Sequence, residues 1–142
     1  MFKKLRKFIE RHDTITIFSH VYPDGDAIGS IIGLRELIKT SYKHKKVFGL
    51  GTNVQPFVSL FGALDVVSDE VIKDSGAIIV DVANGARVED QRYKLAKASF
   101  KLDHHIFAEK FTDEELVLTT RIATAEIIGE FMMKERLRTN TL

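Results

Sequence analysis

The run Ala77-Ile78-Ile79-Val80, closed by Asp81, sets the fold class. An uninterrupted apolar stretch of this length is what a strand covered on both faces requires, and such strands belong to parallel sheets. Upstream, Thr14-Ile15-Thr16-Ile17-Phe18 reads as another strand and is followed by His20, Asp24 and Asp26. Downstream, residues 99–102 read as a third, ending in Asp103-His104-His105. Three strands thus finish in potential metal ligands. In an open parallel sheet, ligands bind outside the carboxyl ends of the strands, so residues far apart in sequence are expected to meet at one edge.

Helical spacing fills the gaps between these strands. Phe2, Leu5, Phe8 and Ile9 mark a first helix, and Ile28, Ile31, Ile32, Leu34, Leu37 and Ile38 trace the buried side of a second over residues 27–38. Residues 46–50 form a short strand with Gly49 and Gly51 at its exit, residues 54–61 a short helix, and residues 65–68 a brief strand. A last strand is expected over 116–119 and a long helix over 121–137, with Ile122, Ala125, Ile128, Phe131 and Met132 as its core face. Strands alternating with helices give an α/β, three-layer domain with a mostly parallel sheet flanked by helices. The 142 residues suit one domain, and neither a repeat nor a linker divides them.

Composition narrows the function classes. With 44% apolar and 29% charged residues, the chain is neither disordered nor collagen-like. It has no cysteine, which excludes a disulfide scaffold, a thiolate nucleophile and a zinc ribbon, and fits a cytoplasmic protein. No apolar run approaches the roughly 18 residues a bilayer crossing needs. The formal charge is +1, with the basic excess in the first 50 residues. Lys3, Lys4, Arg6, Lys7 and Arg11 read most simply as the solvated face of the first helix, since aromatics do not interleave with them.

Each candidate residue has a plain structural alternative. His20 alone could be a hydrogen-bonded histidine at a strand end, Asp24 and Asp26 could cap helix 27–38, and His104-His105 could be an ordinary polar loop. Asp81 has less freedom, because a carboxylate ending a buried strand needs a partner. Taken together, the set reads as a site. Crowded carboxylates raise one another's pKa, and divalent cations reverse that penalty. Mixed imidazole and carboxylate donors suit first-row metals such as manganese. Gly49-Leu50-Gly51 lacks the third glycine of a dinucleotide fingerprint, the chain has no P-loop, and Ser19 and Ser30 lack a nucleophile-elbow setting.

The motifs also carry a family resemblance. Ser19-His-Val-Tyr-Pro-Asp-Gly-Asp-Ala-Ile-Gly-Ser30 resembles the first motif of the DHH phosphoesterases, Val80-Asp-Val-Ala-Asn84 the second, and Leu102-Asp-His-His105 the signature that names the family. Thr124-Ala-Glu-Ile-Ile128 resembles the segment that opens the helix after the signature. A histidine four residues before the first aspartate, with Asn84 and Arg87, is similar to the branch of nanoRNases, oligoribonucleases and 3′-phosphoadenosine 5′-phosphate phosphatases.

The resemblance implies two Mn2+ ions, with Mg2+ or Co2+ as substitutes. His20 and Asp24 would hold one ion, Asp26 and His104 the other, and Asp81 would bridge them. His105 would face the scissile phosphate, Asp103 would orient an imidazole, and Arg87 and Asn84 would bind substrate. It implies hydrolysis of short oligoribonucleotides or 3′-phosphoadenosine 5′-phosphate by a two-metal activated water. The alternatives are cyclic-dinucleotide hydrolysis, or a remnant that binds metal and nucleotide without turnover. The sequence stops at Asn140-Thr141-Leu142, before the family's fourth motif and its C-terminal substrate-binding domain. The expectation is therefore an incomplete N-terminal catalytic domain, truncated at its C-terminal end, with a homodimer or a separately encoded half as possible partner. Asp113, Glu114 and Glu115 are expected to be solvated surface.

Overall fold

The computed structural model describes residues 1–137; Asn140, Thr141 and Leu142 lie outside the described residues. Five strands form one sheet: β1 (Thr14–Phe18), β2 (Lys46–Gly49), β3 (Gly76–Val80), β4 (Ala98–Asp103) and β5 (Glu114–Val117). Their order is β2-β1-β3-β4-β5, and every neighbouring pair is parallel. Chain order reverses direction between β1 and β3, which makes a crevice at the carboxyl ends of these two strands.

Both faces of the sheet are covered. On one, α1 (Lys3–Glu10), α2 (Gly25–Ser41) and α5 (Thr124–Lys134) supply Leu5, Phe8, Ile31, Leu34, Ile127 and Phe131 to a core with Ile15, Ile17, Ile78, Val80, Phe100 and Leu102. On the other, Phe18, Ala77 and Ile79 meet Ile72 of α4 (Asp69–Lys73), and Val88 and Tyr93 from two 3-10 turns. The two-residue period of the strands separates these sets, so the apolar run at 77–80 feeds both cores. The result is the expected three-layer α/β arrangement. Among the described residues, no helix is long and apolar enough to cross a membrane.

Several boundaries differ from the sequence reading, each for a local reason. Residues 65–68 contribute a single bridge between Asp65 and Leu50 in place of a strand, and Ser68 then caps α4 through Val71 N–H. The short helix expected at 54–61 is α3 (Phe57–Phe61). The last strand begins at Glu114, earlier than expected, because its acidic residues have partners. Glu114 pairs with Arg11, Glu115 lies 3.8 Å from the buried Lys101 ammonium, and Asp113 accepts from the amide and hydroxyl of Ser99. They are therefore not merely solvated surface. Residues 121–123 stay outside the final helix, with Ala123 extended, so Ile122 is exposed and is not a core residue.

The helix over α2 packs on the sheet at very short range where Gly49 ends β2. A Cβ built there would lie 2.5 Å from Ile31 Cγ2, whereas one on Gly33 in the same helix meets nothing within 4 Å. Gly49→Ala should therefore cost about 1–3 kcal/mol through overpacking. Gly33→Ala should gain roughly 0.5–1 kcal/mol from helix propensity. Urea unfolding of the two variants checks both signs.

Candidate metal centre

The crevice between β1 and β3 is closed by the loops that follow them. Ser19 donates to the Val80 carbonyl at 2.8 Å, holding the two strand ends together. His20 bridges to Val88, Val21 N–H donates to Arg87 O at 2.8 Å, and Glu89 N–H to Ser19 O at 2.9 Å. The loop after β3 is thereby laid alongside the loop after β1, which brings Arg87 next to His20.

Asp81 sits at the centre. Its backbone is left-handed (φ 61°), a conformation that aspartate and asparagine tolerate better than most residues, and its N–H donates to Leu102 O at 3.0 Å. The side chain is buried. His20 Nε2 lies 3.5 Å from Oδ2, while His104 Nε2 lies 3.3 Å from Oδ1. Asp24, the N-cap of α2, places Oδ1 3.8 Å from His20 Nε2 while accepting from Ala27 N–H. Its capping and site positions are therefore compatible. Asp26, in the first turn of α2, reaches within 3.7 Å of His104 Nε2.

Backbone carbonyls fix the two imidazoles. His20 Nδ1 contacts Val21 O at 2.7 Å, and His104 Nδ1 contacts Arg121 O at 3.2 Å. A carbonyl only accepts, so in each ring Nδ1 carries the hydrogen, and a neutral ring presents its Nε2 lone pair to Asp81. Lone pairs then face carboxylate oxygens on both sides of Asp81. Such contacts require a proton or a cation between them. Burial, followed by the Asp26 and Asp24 charges, raises the Asp81 carboxyl to about 6. Asp103 is also fully buried; Oδ1 meets His105 Nδ1 at 2.6 Å, and Oδ2 has no hydrogen-bond partner among the described residues.

This donor set fits divalent cations. One group of donor atoms within 4.8 Å comprises His20, Asp24 and Asp81, and another Asp81, Asp103, His104 and His105. Asp81 belongs to both. Asp26 joins through His104 and is held by the first amides of α5, with Thr124 N–H at 3.0 Å and Ala125 N–H at 2.9 Å. Arg87 and His105 line a groove of about 340 Å³ with His20, Asp24 and Asp81. Asn84 caps the following 3-10 turn through Ala86 N–H and is exposed.

Two contributors escaped the sequence reading. Thr124 donates its hydroxyl to Asp81 Oδ1 at 3.3 Å, and Arg121 acts through its carbonyl, which no side-chain pattern encodes. A threonine opening a helix was the available signal for the first.

Comparison with known proteins places this geometry. Residues 14–141 match the DHH family, N-terminal domain. The chain is 36% identical over 137 residues to the probable bifunctional oligoribonuclease and PAP phosphatase NrnA of Streptococcus mutans, covering 96% of this chain and 44% of that protein. It is 35% identical over 131 residues to the bifunctional oligoribonuclease and PAP phosphatase NrnA of Bacillus subtilis, covering 92% and 42%. An exopolyphosphatase-related protein from Bacteroides fragilis superposes with a TM-score of 0.79 at 25% identity, over 94% of this chain and 43% of its own. The chain thus spans less than half the length of the relatives it matches.

Ionising Asp81 costs the metal-free fold stability. Its folded pKa, about 6, exceeds the ordinary 3.8, so its contribution is full below pH 4 and is lost as pH rises through 6. Asp81→Asn keeps the shape and the left-handed backbone without the charge. In chelator at pH 7.5 it should raise Tm by roughly 3–8 °C, and adding Mn2+ should raise the Tm of the wild type but not of this variant. Differential scanning calorimetry with and without Mn2+ reads both effects.

Proposed function

The chain belongs to the DHH family, and from that membership we propose that it is a manganese-dependent phosphoesterase acting on short oligoribonucleotides or 3′-phosphoadenosine 5′-phosphate. The observation that carries this reading is the shared Asp81 carboxylate, flanked by two carbonyl-anchored imidazoles and joined to a groove with an exposed arginine.

His20, Asp24 and Asp81 would hold one cation, and Asp26, Asp81 and His104 the other. When bound, the pair supplies an activated water and neutralises charge developing on the phosphoryl group. The chain's own residues do the rest. Arg87 binds a non-bridging phosphate oxygen from the rim of the groove. His105, with Nδ1–H held on the buried Asp103 carboxylate, carries a proton at Nε2 and delivers it to the leaving ribose oxygen. Asp103 fixes the ring orientation, as carboxylates do beside a working histidine. The amides opening α5 hold the Asp26 carboxylate in place, and the positive ends of α2 and α5 favour an anionic substrate. Asn84 adds a polar contact at the groove's outer edge once its amide is offered to substrate.

Turnover of a diribonucleotide and of 3′-phosphoadenosine 5′-phosphate by the purified chain, with Mn2+ and with chelator, tests the reading. Activity should appear only with metal and fall about 100-fold or more in Asp81→Asn. Manganese binding without turnover of either substrate would mark the chain as a non-catalytic binder and contradict the proposal.

A further inference from the structure

Beside the metal centre, on the β4–β5 side, lies a second groove of about 480 Å³ lined by His104, His105, Ile106, Phe107, Thr119 and Arg121. It shares His105 with the groove that holds Arg87, so the two grooves adjoin at that residue. We infer that this second groove is a nucleobase subsite, with the Phe107 ring as its stacking face. The inference rests on the phosphoesterase reading and assigns the part of the substrate that reading leaves unplaced.

The first argument is exposure without slack. Phe107 is 95% exposed and Ile106 72%, a large apolar surface to leave in water. The loop carrying them is not loose. Two residues before Phe107, His105 is held to Asp103 at 2.6 Å. Two residues after it, Glu109 is fixed three ways: its N–H donates to Ala83 O at 2.8 Å, its carbonyl accepts from the buried Lys101 at 2.5 Å, and its carboxylate accepts from Gly85 N–H at 3.0 Å. Phe111 in the same loop packs its ring 6.0 Å from Tyr93. The chain thus packs one phenylalanine of this loop, half-buried, against Tyr93 and holds the other out on a tied span.

The second argument is charge. Arg121 is the cation of this groove, but its guanidinium is bound by Glu130 at 2.5 and 2.9 Å and by the Thr120 hydroxyl at 2.7 Å. A neutralised arginine does not recruit phosphate. The neighbouring groove keeps a free one in Arg87, for which no partner of its side chain is found among the described residues. A phosphate-binding groove therefore adjoins a neutral, aromatic one, with His105 at the junction. That is the polarity of a nucleotide, whose base presents a π-face to any aromatic ring regardless of its identity.

Calorimetric titration of the Mn2+-loaded chain with adenosine 5′-monophosphate, uridine 5′-monophosphate and ribose 5-phosphate tests the assignment. Both nucleotides should bind about 10-fold tighter than ribose 5-phosphate. Phe107→Ala should erase that preference while leaving ribose 5-phosphate affinity unchanged, and Phe107→Trp should restore it. Equal binding of the three ligands by the wild type, a preference that survives Phe107→Ala, or no nucleotide binding at all would overturn the inference. Self-association that Phe107→Ala abolishes, without base preference, would assign the face to a protein partner and overturn it too. Base preference without turnover would sink the phosphoesterase reading alone; turnover without base preference would sink the subsite alone.

Discussion

Like charges crowded into a buried place are the constraint on which this structure turns. Asp81 lies at the bottom of the crevice with Asp24 and Asp26 near it, and the burial that shapes the site also penalises ionising it. Among the described residues, no lysine or arginine pairs with the Asp81 carboxylate. The protein uses imidazoles whose Nδ1 hydrogens are spent on the Val21 and Arg121 carbonyls, amides from the start of α5, and the Thr124 hydroxyl. The donors hold the carboxylates in place, and the imidazole Nε2 lone pairs still face carboxylate oxygens. Such an arrangement is stable only with a proton or a cation at its centre.

The fold supplies that crevice as a consequence of topology. Because chain order reverses between β1 and β3, their carboxyl ends form a crevice, lined by the two loops that follow and pair with each other. β3 brings Asp81, β1 and α2 bring His20, Asp24 and Asp26, and β4 brings Asp103, His104 and His105. The α5 helix crosses back over α2, and its first amides close on Asp26. A core on each face keeps these elements in register, so the precision of the site rests on packing far from it.

Much of this was legible in the sequence. The apolar run ending in Asp81 predicted a central strand, and the ligand-rich residues after three strands predicted convergence at one edge. The DHH-like motifs predicted the family, which the match over residues 14–141 establishes. The illegible parts depended on pairing between distant residues. Glu114 and Glu115 read as solvent-facing because nothing local reveals Arg11 and Lys101 opposite them. Ile122 matched a helical period, yet the helix begins two residues later at Thr124. The carbonyl of Arg121 and the tether of Glu109 act through backbone atoms, which residue identity does not encode. Phe107 has no local pattern to mark it; what sets it apart is exposure on a tied span.

The central claim is that Asp81 is shared between two cations. Electron paramagnetic resonance during Mn2+ titration addresses it directly, since two manganese ions joined by one carboxylate are magnetically coupled. The account predicts two bound ions per chain and a coupled, many-line spectrum that Asp81→Asn eliminates. A single bound ion with an uncoupled six-line spectrum, unchanged by Asp81→Asn, would contradict it.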